Sequence, residues 1–150
     1  MVLSSKKYMR VLVLLCVLGV VFSAGYKLIF VKGDSMAPTV PHGSVVLVDK
    51  IEYKMFNPSR FDVAVIRDRE DGGYMVKRII GLPYEKVEIK DGEVFINDKK
   101  IQCSFRKKIL ENLGWGPRYL PKDVYFYIGD NRKETAWGLV HKRDILYKKR

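Results

Sequence analysis

Between Val11 and Tyr26 the chain carries no charge, and from Val11 to Phe22 every residue is apolar or glycine. It is the only long apolar run in the 150 residues. With Tyr8 and Met9 added, and Arg10 able to snorkel, residues 8–26 give 19 positions, just enough to cross a bilayer as a helix. A cleavable signal peptide shares the outline of basic start, apolar centre and small residues at Ser23, Ala24 and Gly25. A retained anchor is the preferred reading, because residues 27–32 (KLIFVK) run without a linker into the next feature. The expected organisation is therefore a cytoplasmic N-terminus over 1–7, a single-pass transmembrane anchor over 8–26 and an extracytoplasmic body over 27–150. Lys6, Lys7 and Arg10 set that orientation, and Lys27 and Lys32 weaken the asymmetry.

That next feature, residues 31–43 (VKGDSMAPTVPHG), places Ser35 on a corner. Gly33 frees the backbone for unusual dihedrals, while Pro38 and Pro41 fix φ and withhold two N–H donors. A hydroxyl on such a corner suits a nucleophile, which needs exposure on one side and a fixed line of attack. An ordinary polar loop serine has the same local look, so the weight falls on its company.

Downstream the pattern is strand-like. SVVLV (44–48), DVAVI (62–66), YMVKRIIG (74–81) and VYFYI (124–128) are short runs bounded by polar or turn residues. Residues 87–89 and 94–96 flank Asp91-Gly92 as a hairpin, and residues 137–146 supply one more strand or two. Residues 101–121 read as irregular, with a helical turn or two at 109–113. Phe105, Leu110, Trp115 and Tyr119 there either pack on the body or dip into lipid. Many short strands with little helix imply a mainly-β domain.

Alternation along 74–80 puts Tyr74, Val76, Arg78 and Ile80 on one face and Met75, Lys77 and Ile79 on the other. Lys77 thus shares a face with two apolar side chains. Desolvation there disfavours its charged form and can turn a lysine of ordinary pKa, about 10.4, into a base. A lysine whose stem covers apolar surface while its head reaches water is the plainer alternative.

The net charge of +11 favours anionic partners, and plentiful aromatics suit either base stacking or a membrane interface. The apolar anchor argues against a nucleic-acid-binding protein. Cys16 and Cys103 are too differently placed for an intramolecular disulfide to be expected. His42 and His141 read as surface groups, and no zinc spacing is present.

Taken together, GDSMAPT (33–39), KRIIGLP (77–83) and GDNR (129–132), in that order after an apolar anchor, resemble bacterial type I signal peptidase, the serine–lysine branch of that family. The resemblance covers nearly the whole chain. It implies a small β catalytic domain of the signal-peptidase type outside the membrane, with Ser35 as nucleophile and Lys77 as general base. It also implies an oxyanion hole at the Ser35 N–H, with Gly33 at the position where some relatives carry a hydroxyl. Shallow substrate pockets for small residues at −1 and −3 would be lined by Val31, Met36, Val40, Met75 and Val76. Thr135 falls where a relative's serine orients the base, while the Asp-Ser-Arg that usually follows is missing before Trp137-Gly138. The implied partners are signal peptides of exported precursors and the phospholipid membrane, with no cofactor, no metal and no nucleic acid. The alternative is a non-proteolytic or specialised relative that assembles surface structures such as pili.

Overall fold

The computed structural model describes residues 5–69, 71–102, 114–131 and 136–150. The apolar run forms one helix, α1 (Ser5–Gly25), in which Lys7–Gly25 is long and apolar enough to cross a membrane. Leu12, Leu14, Leu15 and Val20 on it are all more than half exposed. An apolar surface on every side suits a lipid surrounding, not water. The helix stops at Gly25, so Tyr26, counted with the anchor from sequence, opens strand β1 (Tyr26–Phe30) instead. Lys50 closes the junction: its N–H donates to the Gly25 carbonyl and its ammonium to the Ser23 carbonyl, both at 2.8 Å. Those are carbonyls that a helix C-terminus leaves without intrahelical partners.

In chain order there follow β2 (Val45–Asp49), a short helix α2 (Glu52–Met55), β3 (Val63–Arg67) and β4 (Tyr74–Gly81). Next come β5 (Lys86–Lys90), β6 (Glu93–Ile96), β7 (Lys99–Lys100) and β8 (Trp115–Tyr119). The last are β9 (Val124–Ile128), β10 (Trp137–His141) and β11 (Ile145–Lys149). Seven strands form one sheet in the order β1-β2-β11-β3-β4-β9-β10, and four form a second in the order β7-β6-β5-β8. The pairings are antiparallel throughout. The expected mainly-β body after one N-terminal apolar helix is thus what forms.

The pleat of β4 sorts the core. Ile79 joins Tyr53, Ala64, Ile66, Tyr125, Val140 and Ile145 in one buried cluster, with Met75 packed against it. Val76, next along the strand, packs against a second cluster of Val31, Met36, Val40, Val46, Val48 and Val65. Ile80 belongs to a third, where Val87, Ile89, Val94 and Ile96 of the small sheet meet Phe126 and Ile128 of the large one. Alternation therefore puts β4 in contact with all three, and Lys77 sits at its middle.

One segment departs from the sequence reading. Part of the stretch expected to be irregular, Trp115–Tyr119, is strand β8, paired to β5 with Lys86 opposite Tyr119 and Val87 opposite Arg118. Gly116 there has φ +93°, and a Cβ on it would lie 2.7 Å from the Val87 carbonyl oxygen, so only glycine fits. Trp115 packs on the body, its ring 5.6 Å from Phe126 and 5.2 Å from Trp137, whereas Tyr119 is exposed. The helical turn expected at 109–113, with Phe105 and Leu110, lies outside the described residues.

Candidate active site

Ser35 stands on the loop between β1 and β2. The loop is closed at its base by Val31 N–H donating to the Ser44 carbonyl and Gly43 N–H to the Val31 carbonyl, each at 2.9 Å. Inside it, Ala37 N–H donates to the Asp34 carbonyl and Val40 N–H to the Met36 carbonyl. Gly33 has φ +87°, a left-handed conformation that favours glycine, and its N–H donates to His42 Nδ1 at 2.9 Å. From outside the loop, Asn131 N–H donates to the Ser35 carbonyl at 2.9 Å. The corner is held both by its own bonds and by the loop after β9.

Lys77 comes up from the middle of β4. It is 4% exposed, and its Nζ lies 2.7 Å from Ser35 Oγ. No carboxylate pairs with it among the described residues. Burial therefore acts unopposed and lowers the amine's pKa below its ordinary 10.5.

Its neighbour Arg78 points the other way and reaches the loop that holds Ser35. Nε and Nη2 of Arg78 donate to the two carboxylate oxygens of Asp130 at 2.8 and 2.6 Å, and Nη1 donates to the Phe61 carbonyl. The Asp130 side chain is 1% exposed. A buried, bidentate pair of this kind fixes geometry strongly, because separating it leaves an uncompensated charge. Lys77 on β4 and Asn131 beside Asp130 are thus tied into one frame around Ser35.

The other predicted positions divide. Val31, Met36 and Val40 are buried together with Val76 packed on them, a continuous apolar bed under the loop that carries Ser35. Met75 is not part of that bed; it packs on the opposite face of β4, beside Lys77. The Ser35 N–H donates to no described residue, and Gly33 offers no side chain. Thr135 lies outside the described residues. Sequence reasoning missed His42 as the acceptor for Gly33 and missed the Arg78–Asp130 pair. Only the adjacency of Arg78 to Lys77 and of Asp130 to Asn131 hinted at the second.

A hydroxyl touching a buried amine that no described carboxylate neutralises can be deprotonated by that amine, which makes the oxygen a nucleophile toward a carbonyl. A backbone N–H that no described group engages, such as that of Ser35, is the kind of donor that can receive the oxygen charge such an attack develops.

A model of the family described as "Signal peptidase, peptidase S26" matches residues 5–150. Signal peptidase I P of Bacillus subtilis subsp. natto is 35% identical over 129 residues, covering 77% of this chain and 69% of that protein. Signal peptidase IB of Staphylococcus aureus (strain N315) is 32% identical over 139 residues, covering 79% of this chain and 72% of that one. The crystal structure of a signal peptidase I from Enterococcus faecalis V583 shares the fold, with a TM-score of 0.51 at 24% identity, over 60% of this chain and 94% of that chain. The chain belongs to the signal peptidase family, peptidase S26.

Proposed function

We propose that the protein is a membrane-anchored serine endopeptidase that removes signal peptides from exported precursors, with Ser35 as nucleophile and Lys77 as general base. The observation that carries this reading is the 2.7 Å contact between Ser35 Oγ and a buried Lys77 Nζ with no carboxylate partner among the described residues. Neutral Lys77 takes the hydroxyl proton as Oγ adds to the scissile carbonyl, and the oxygen charge develops toward the Ser35 N–H. Lys77 then returns the proton to the departing amine, leaving an ester on Ser35. Water, losing its proton to Lys77, adds to the ester, and collapse releases the signal peptide's new carboxylate and restores the hydroxyl.

Val31, Met36, Val40 and Val76 make the floor on which small residues at −1 and −3 would rest, and Met75 borders the Lys77 side. Basic residues on the N-terminal side of α1 orient the anchor with its N-terminus in the cytoplasm and the body outside.

The test is cleavage of an Ala-x-Ala precursor by detergent-solubilised protein. Ser35→Ala is expected to lose about a thousandfold or more of the activity while keeping the melting temperature. Near-normal turnover by that variant would remove the peptidase reading.

A further inference from the structure

Away from Ser35, an open cleft of about 830 Å³ lies where α1 meets the body. That volume is in the range of small-molecule sites. Ala24, one residue before the end of α1, lines it, and so do Lys50, Lys54, Lys142 and Arg143. Four cations face a single carboxylate there, that of Asp123.

Their charges are poorly compensated. Lys50 donates to the Ser23 carbonyl and Lys142 to the Asn57 side-chain oxygen, both neutral acceptors. Arg143 Nε stays 3.9 Å from Asp144 Oδ2, and that carboxylate is already gripped by Arg69 through two bonds of 2.8 and 3.0 Å. The Lys54 N–H donates to the Ile51 carbonyl at 2.9 Å, but its ammonium makes no hydrogen bond or ion pair with any described residue. Clustered cations repel, so an arrangement left this open favours a bound anion.

Position selects the source of that anion. The cleft sits where the apolar helix gives way to the polar body, the depth at which a bilayer presents its headgroups. Lys54 lies on α2, and exposed apolar side chains flank it: Ile51, Met55 and Phe56 are 43, 70 and 60% exposed. Apolar side chains around a cation suit the boundary between headgroups and acyl chains. A nucleic acid or a free anion would have no use for them.

We infer that this cleft binds the phosphate of an anionic phospholipid in the leaflet where α1 ends, seating the body against the membrane. The inference rests on the reading of α1 as a retained anchor. The lipid phosphate sits among Lys54, Lys142 and Arg143, with Lys50 joining it to the helix end and Met55 and Phe56 entering the acyl boundary.

The experiment uses the full chain in detergent, titrated with short-chain phosphatidylglycerol or phosphatidylcholine and followed by native mass spectrometry. Wild type is expected to retain phosphatidylglycerol in preference, and excess inorganic phosphate is expected not to displace it. The double variant Lys54→Glu/Arg143→Glu should weaken phosphatidylglycerol about tenfold and leave phosphatidylcholine unchanged. The swap Lys54→Arg/Arg143→Lys should retain the affinity, which guards against a fold defect in the first variant. Retention of phosphatidylglycerol by the glutamate variant would overturn the inference. So would displacement by phosphate, or an equal loss in Lys90→Glu/Lys99→Glu on the far sheet. Failure of the anchor reading itself shows differently, as release of the chain from membranes by alkaline carbonate.

Discussion

At the scale of single residues, Lys77 carries an unusual burden. The residue is 4% exposed with no carboxylate beside its ammonium among the described residues, and burial holds its pKa below 10.5. A depressed lysine pKa means that the folded chain binds fewer protons than the unfolded chain. Lys77 therefore subtracts stability at neutral pH, and the penalty shrinks as pH rises toward 10.5. Lys77→Met is expected to raise the melting temperature at pH 7 while eliminating cleavage, with the gain in stability falling in alkaline buffer. A variant that melts lower at pH 7 would show that the amine is not strained by burial. The sequence made this residue visible through alternation, since Met75 and Ile79 flank it on one face of β4, together with the KRIIGLP motif that opens on it. It could not reveal the partner of His42, because a backbone N–H nine residues away leaves no mark in composition.

At the scale of elements, strands with regular alternation and tight turns were legible, and those specified by distant partners were not. The hairpin of β5 and β6 was predicted from Asp91-Gly92, and both residues do take positive φ, 51° and 72°. Strand β8, by contrast, contains Gly116 and Pro117, which local propensity reads as breakers. It forms because β5 offers an edge and Trp115 has Phe126 and Trp137 to cover. The Ser35 corner depends on the same kind of long-range support. The Arg78–Asp130 pair joins β4 to the loop whose Asn131 N–H holds the Ser35 carbonyl. Asp130→Ala removes the bidentate carboxylate partner of Arg78, whose side chain is 12% exposed, at a cost of about 3 kcal/mol, or about 10 °C in melting temperature. Activity should fall further than the loss of folded protein explains, chiefly in kcat, as the Ser35 loop loses its outer tie. Equal losses in activity and folded fraction would assign the pair to stability alone.

At the scale of the whole molecule, Asp49 ends β2 one residue before the Lys50 that bonds the end of α1, and it gathers α2 and Arg150 around it. Its carboxylate accepts from Ile51 and Glu52 N–H at 2.7 and 2.9 Å and from Arg150 Nη2 at 2.7 Å. Burial pushes the Asp49 carboxyl up, but the hydrogen bonds from Arg150, Glu52 and Ile51 outweigh it and hold the pKa below 3.8. A carboxylate shifted downward contributes stability that is present above its unfolded pKa and is lost as pH falls through the folded value. Thermal melts should therefore decline on acidification below about pH 4, and Asp49→Asn should flatten that decline. An unchanged acid limb in the variant would remove Asp49 from the account.

The claim on which the rest depends is that a neutral Lys77 takes the proton from Ser35, and the pH profile of kcat/KM reads it directly because it reports the free enzyme. Wild-type activity is expected to rise with pH along a limb whose apparent pKa lies below the 10.5 of an ordinary lysine, in keeping with the burial of the amine. Lys77→Arg should show no activity anywhere on that profile, since a guanidinium with a pKa above about 12 cannot serve as base. Substantial cleavage by Lys77→Arg, or a wild-type limb at the ordinary lysine value, would contradict the account.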